Sequence, residues 1–157
     1  MSPRSVAVLL LLSAPLLLSG ATTIVRVWPS YREAESFRRI SEYVGGTENS
    51  GREIVLRTQP EAHAGYYLLT RIQADDAAAG AALLVEVVLP GDPTIRTFSF
   101  PGGLRAGEHV YQIGITGTDW PSAKTRAAAW RVSARAASGE TLAELTSFLW
   151  SAPAETK

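Results

Sequence analysis

The sequence of 157 residues predicts a single, mainly β domain, an antiparallel β-sandwich that is immunoglobulin-like in the broad sense, with one short N-terminal helix. Two observations support this prediction. Eight short runs rich in β-branched and aromatic residues recur along the chain, separated by turn residues. Only one stretch, residues 31–44, combines helical periodicity with capping signals. A small β-barrel is the alternative architecture, whereas a parallel α/β sheet would require repeated alternation of strands and helices.

Residues 1–21 are expected to be a secretory signal peptide that is not part of the fold. Arg4 precedes an apolar stretch, residues 6–18, and the small residues Ser19 and Ala21 stand three and one before a cleavable bond. The stretch of 13 residues is short for a membrane span of roughly 20 residues. The alternative is an uncleaved anchor, and this segment is the only membrane contact that we expect. The sequence therefore predicts an exported protein, periplasmic or extracellular.

The rest of the sequence is expected to form one domain, residues 22–150, followed by a disordered tail, residues 151–157. The chain has 15 basic and 15 acidic residues, so no basic excess is available to neutralise the phosphates of a nucleic acid. It has no cysteine, which excludes disulfides, thiol catalysis and thiolate metal sites. Stability must therefore come from burial of apolar surface.

The predicted helix follows a first strand, residues 23–28, which Pro29 is expected to end. Ser30 can act as the N-cap, and Glu33 three residues later completes a capping box. An apolar stripe follows at helical spacing: Phe37, Ile40 and Val44. Because a helix of about 14 residues is marginal alone in water, this stripe should be buried. We expect the helix to plug an edge or open end of the sandwich; the alternative is a recognition helix.

Seven further strands are predicted between turn signals. They cover residues 52–59, 66–74, 82–89, 94–100, 108–116, 127–136 and 141–150. The strand at 82–89 is the most apolar and is expected to be central in its sheet. Pro90 and Gly91 suit the middle of a type II turn. Ser138 and Gly139 indicate a tight hairpin.

No arrangement of residues in the sequence indicates catalysis, and we expect a protein that is not an enzyme. His63 and His109 are the only histidines, and both are expected at the surface near strand ends. No nucleophile-elbow, zinc-protease or phosphate-loop motif occurs. The loop aspartates lack the spacing of a calcium loop: Asp75, Asp76, Asp92 and Asp119. We therefore expect no metal and no cofactor.

Tryptophan is the more informative residue type for binding. Trp130 lies in the most regular alternation of the chain and is expected in the core, whereas Trp28 and Trp150 are expected to pack over the core rims. Trp120 follows Asp119 in a polar loop, where a tryptophan can stack on a sugar ring or anchor a protein interface. The alternative is that Trp120 folds back and plugs an end of the sandwich.

Tyr66 and Tyr67 are neighbours in a predicted strand and must point to opposite faces of its sheet. One is expected in the core, and the other against the helix or solvent. Together with Trp120 and Asp119, they are the candidate ligand-binding residues. Two interpretations follow. The first is a secreted or periplasmic non-catalytic module for protein interaction or envelope assembly, with a protein partner still to be found. The second is a carbohydrate-binding or carbohydrate-active sandwich that contacts a glycan through Trp120.

Overall fold

The computed structural model describes residues 20–37 and 53–150, and its eight strands form two four-stranded sheets. The strands are β1 (Thr22–Arg32), β2 (Glu53–Arg57), β3 (Gly65–Ala74), β4 (Ala82–Leu89), β5 (Asp92–Pro101), β6 (Gly107–Thr116), β7 (Ala129–Arg135) and β8 (Thr141–Thr146). Sheet 1 has the order β1-β3-β6-β2, and sheet 2 has the order β5-β4-β7-β8. The prediction of a mainly β protein is confirmed.

Strand direction departs from the prediction at one pair. β2 runs parallel to β6, whereas the other neighbouring strands are antiparallel. Sheet 1 is therefore mixed, and a strictly antiparallel arrangement is wrong. The physical reason is that β6 lies between β2 and β3, so these consecutive strands are not neighbours.

The predicted helix at 31–44 is wrong where the structure describes it. Tyr31 and Arg32 continue β1 and pair with Tyr66 and Gly65 of β3. A four-residue 3-10 turn, Ala34–Phe37, follows, and residues 38–44 lie outside the described part of the chain. Capping and side-chain pairs each contribute roughly 0.2–2 kcal/mol to a helix, which the ladder with β3 outweighs. The described ranges contain no α-helix, only this turn and a second 3-10 turn at Gly117–Asp119.

The connection from β2 to β3 crosses the end of β6 and is fixed there by Thr116. The N–H of Thr116 donates to the hydroxyl of Thr58 at 2.9 Å, and its own hydroxyl donates to the carbonyl of Gln59 at 3.0 Å. Thr116 is fully buried. These bonds satisfy its polar groups, as burial requires.

Both sheets bury their facing sides in one hydrophobic core. Sheet 1 contributes Leu68, Ile113 and Ile115, and sheet 2 contributes Val85 and Val132, all fully buried. As predicted, β4 is an inner strand, between β5 and β7.

Both predicted tight turns are confirmed. Gly91 and Gly139 adopt φ values of 77° and 88°, which residues with a Cβ rarely adopt. The last predicted strand ends early, at Thr146, and the N–H of Trp150 then donates to the carbonyl of Ser147 across a turn.

Candidate functional site

Trp120 is a core residue rather than a surface residue of its loop. It exposes only 5% of its surface, so the expectation of an exposed Trp120 is wrong and the alternative, closure of one end of the core, is correct. The ring stacks on Tyr66 with centroids 4.3 Å apart and planes 6° apart. The 3-10 turn at Gly117–Asp119 returns the chain towards the core immediately before Trp120, which explains its burial.

The remaining candidate ligand-binding residues are also largely inaccessible. Tyr66 exposes 3% of its surface in the core, and Tyr67 is fully buried on the opposite face of sheet 1. The hydroxyl of Tyr67 donates to the carbonyl of His63 at 2.7 Å and accepts from Nε of Arg57 at 2.8 Å. Asp119 is half-buried at the end of its turn. Neither tyrosine is an exposed recognition residue.

Of the other three tryptophans, Trp130 lies on the predicted core side of its sheet, whereas Trp28 and Trp150 differ from their predicted positions. Trp130 faces Val87 on the core side of sheet 2 but is only half-buried. Trp28 is 36% exposed on the face of sheet 1 that points away from the core. Trp150 lies 4.9 Å from the guanidinium of Arg131, on the outer side of sheet 2. The expected positions over the core rims are therefore wrong for Trp28 and Trp150.

The structure does not bring the histidines together. His63 precedes Gly65, at the end of sheet 1 where Gly65 pairs with Thr116, whereas His109 pairs with Ile72 towards the other end. His63 is exposed, as expected, and His109 is half-buried with Nε2 2.9 Å from the carbonyl of Ala106. Among the described residues, no three histidine, aspartate or glutamate side chains lie close enough to hold a metal ion. Within the same residues, no helix has the length and apolar character that crossing a membrane requires.

The outer side of sheet 1 carries a set of arginines that the sequence-based prediction missed. We name it the basic face, and its members are Arg26, Arg32, Arg57 and Arg71. Alternation along β1 places Arg26 and Arg32 on one side, and Arg26 pairs directly with Arg71 of β3. The side chain of Arg57 reaches the same side, where it meets Tyr67. Strands β1, β2 and β3 therefore supply these cations, and β6 separates β2 from the other two strands in the sheet.

Two aromatic rings lie among these arginines. The guanidinium carbons of Arg26 and Arg71 are 4.8 and 5.4 Å from the centroid of the Trp28 ring. Those of Arg32 and Arg57 are 4.6 and 5.1 Å from the centroid of Phe37. Such cation–π contacts contribute about 0.5–1 kcal/mol each at exposed sites and leave the positive charge in place.

In the described ranges, few carboxylates lie close to the arginines of the basic face. Arg71 is 3.8 Å from Glu108, and both side chains are 41% or more exposed, so this ion pair is weak. Arg32 donates to the neutral amide of Gln112 at 2.7 Å. Within the described part of the chain, the buried Nη2 of Arg57 has no hydrogen-bond partner. Among the described residues, Glu108 is therefore the only carboxylate paired with these four arginines.

A second accessible feature is a cavity of about 480 Å³ at the end of the molecule that Trp120 closes, and we name it the end pocket. The turn after β4, the start of β5 and the loop after Trp120 border this open pocket. Its lining residues are Leu89, Pro90, Asp92, Arg96, Pro121, Lys124, Thr125 and Arg126. The hydroxyl and N–H of Thr94 hold the pKa of the Asp92 carboxyl below its ordinary value, with a further contribution from Arg96.

Comparisons of the chain with protein-family models, curated proteins and solved structures found no match. Function is therefore inferred from the chemistry of the basic face and of the end pocket.

Proposed function

We propose that the protein is an exported, non-catalytic interaction module whose basic face binds an acidic surface of a partner protein. The single observation that carries this proposal is the exposed Trp28 ring with Arg26 and Arg71 beside it, on a sheet face where Glu108 is the only paired carboxylate among the described residues. We further propose that the two sheets form an immunoglobulin-like sandwich in the broad sense, and that residues 1–21 direct export.

The chemistry of the basic face favours a protein partner. Tryptophan and arginine are the residue types most enriched among the side chains that dominate binding energy at protein interfaces. The contacts of Arg26 and Arg71 with Trp28 hold both guanidinium groups in place before binding, which lowers the entropy lost on association. The whole chain has a formal net charge of zero, so the positive charge is local. A local charge selects a complementary acidic surface and speeds its association.

The carbohydrate interpretation depends on an exposed Trp120. Because that ring stacks on Tyr66 inside the core, it offers no surface to a sugar. Tyr66 and Tyr67 are also buried. The interaction module is therefore the function that the geometry supports best.

Site-specific photo-cross-linking in the native cell envelope tests this proposal. A photoreactive phenylalanine replaces Trp28, and a matched control carries it at Thr97, an exposed residue on β5 of sheet 2. We expect a defined cross-linked protein from position 28 and not from position 97. The product should weaken at high salt, which screens exposed charges, and should be lost when Arg26→Gln and Arg71→Gln are added. Equal products from both positions, or no product from position 28, would contradict the proposal.

A further inference from the structure

We propose that the end pocket is a second binding site, separate from the basic face, that takes a small organic anion consisting of an apolar body and one carboxylate or sulfonate group. The volume is suitable for this class of ligand. A cavity of about 480 Å³ lies within the range of roughly 300–1,000 Å³ that small-molecule sites occupy. Leu89, Pro90 and Pro121 provide apolar surface for the body of the ligand.

The charges around the end pocket select an anion. Asp92 and Arg96 are 3.3 Å apart and offset one another. Asp92 also accepts the N–H of Thr94 at 3.0 Å, so its carboxylate is already satisfied. Lys124 and Arg126 form no ion pair within the described residues and supply the unbalanced positive charge.

The loop that carries these cations is held in place before any ligand binds. Nη1 of Arg126 donates to the carbonyls of Ala123 and Thr125 at 2.7 and 3.1 Å, which fixes the guanidinium against its own loop. The hydroxyls of Ser122 and Thr125 share a hydrogen bond of 2.9 Å. Trp120, immediately before this loop, is anchored in the core by its stack on Tyr66. A prearranged loop loses little entropy on binding.

The end pocket lies next to Trp120, the residue that the sequence analysis selected as the main binding candidate. Trp120 and Tyr66 do not line the cavity. Pro121 of the lining directly follows Trp120, so the stacked rings connect this part of the pocket wall to the core. In this proposal they are positioning residues, and the contacts to the ligand come from Lys124 and Arg126.

Titration of the isotope-labelled protein, followed by NMR, tests the proposal with 2-naphthoate as the probe. A ligand of this size is expected to bind with a dissociation constant of about 1 mM. Saturable shifts should be confined to the amides around 91–96 and 122–126. The neutral analogue 2-naphthamide should bind at least about tenfold more weakly, because it lacks the charge-assisted contacts. Equal binding of both probes, or no saturable shift with naphthoate, would overturn the proposal.

Two variants distinguish the cations of the end pocket from charge in general. Lys124→Gln removes an exposed charge that makes no hydrogen bond within the described residues, so the fold should be kept. We expect roughly tenfold weaker naphthoate binding. The matched control is Arg105→Gln, an exposed arginine between β5 and β6, at the far end of these strands from the β4–β5 turn. Arg126→Gln should have an effect at least as large, but it also removes loop contacts, so Lys124→Gln is decisive. Unchanged binding in Lys124→Gln would refute the assignment.

Discussion

At the scale of single residues, the stacked rings of Tyr66 and Trp120 connect the loop after β6 to the core. Near-parallel rings at a centroid distance of 4.3 Å contribute about 0.5–1.5 kcal/mol beyond the burial of their area. The indole Nε1 donates to the carbonyl of Thr125 at 3.4 Å, so the polar end of the ring also meets its own loop. The stacked pair therefore fixes the loop after β6 against the core at this end of the molecule.

Replacement of Trp120 should therefore damage the fold more than replacement of Trp130. Trp120→Ala removes a ring that is 95% buried and should lower the free energy of unfolding by about 3–5 kcal/mol. Trp130→Ala removes a half-buried ring and should cost roughly 1–2 kcal/mol. Urea denaturation of both variants measures the difference. Strand alternation in the sequence predicts the opposite order, with the larger loss for Trp130→Ala. If Trp130→Ala lowers the free energy of unfolding more than Trp120→Ala does, the burial of the two rings described above is contradicted.

The phenol of Tyr66 should make stability depend on alkaline pH. Burial raises its pKa above the ordinary value of 10.0, although the N–H of Ala127 and the charge of Arg126 act in the opposite direction. A group whose pKa is raised by folding stabilises the native state fully below its unfolded pKa. This contribution should be lost as the pH rises above about 10.

Measurement of the free energy of unfolding between about pH 9 and 11 tests whether stability falls as the pH rises. The control is Tyr66→Phe, which keeps a ring for Trp120 to stack on and removes the titrating hydroxyl. The decline in the free energy of unfolding should be smaller in Tyr66→Phe than in the unmodified protein. Identical declines would show that other groups cause the pH dependence.

At the scale of elements, the strands could be predicted because each carries its own local signal. The run "ALLVEVVL" and the turn at Pro90 and Gly91 define β4 and its end without knowledge of any neighbour. The region around residues 31–37 could not be predicted in this way. Its capping residues and periodicity favour a helix, but pairing of Tyr31 with Tyr66 extends β1 instead. In β1, long-range pairing with β3 outweighs the local helix preference, as tertiary context routinely outweighs secondary-structure propensity.

The candidate site was less predictable than the strands, because it depends on which strands are neighbours. Arg26 and Trp28 alternate within one segment, so the sequence places them on the same side of β1. The addition of Arg71 and Arg57 requires the order β1-β3-β6-β2, which no local pattern specifies. Burial of Trp120 likewise depends on Tyr66, 54 residues earlier in the sequence.

The pairing of β3 with β6 depends on a glycine opposite an aromatic ring. Gly114 pairs with Tyr67, and a Cβ at Gly114 would lie 2.5 Å from the ring of Tyr67. Gly114→Ala should therefore displace this ring and weaken its bonds to Arg57 and His63. We expect a loss of roughly 1–3 kcal/mol in the free energy of unfolding, as for other overpacked positions.

A double-mutant cycle tests the cause of this loss. In a Tyr67→Leu background the ring is absent, and Gly114→Ala should cost clearly less than in the unmodified protein. An equal cost in both backgrounds would show that the backbone of β6, rather than contact with the ring, requires glycine at this position.

At the scale of the whole molecule, the two proposed sites lie on different parts of the fold. The basic face belongs to the outer side of sheet 1, whereas the end pocket lies between sheet 2 and the loop after Trp120. Substitutions at one should leave the other intact, because sites that share no residues usually behave independently. Arg26→Gln with Arg71→Gln should accordingly leave the naphthoate shifts at 122–126 unchanged.

Export is the remaining prediction at this scale. The first residue of β1 specifies where the signal peptide should be cleaved. Cleavage after Ala21 would leave β1 whole, because β1 begins at Thr22. We expect the exported protein to begin near Thr22, as measured by intact-mass spectrometry. Ala21→Leu places a larger residue where the processing site requires a small one, and it should leave the precursor uncleaved. Thr23→Leu, two residues later at an exposed position of β1, is the control and should be processed normally. A chain that retains Met1 in the membrane fraction would show instead that residues 1–21 are an uncleaved anchor.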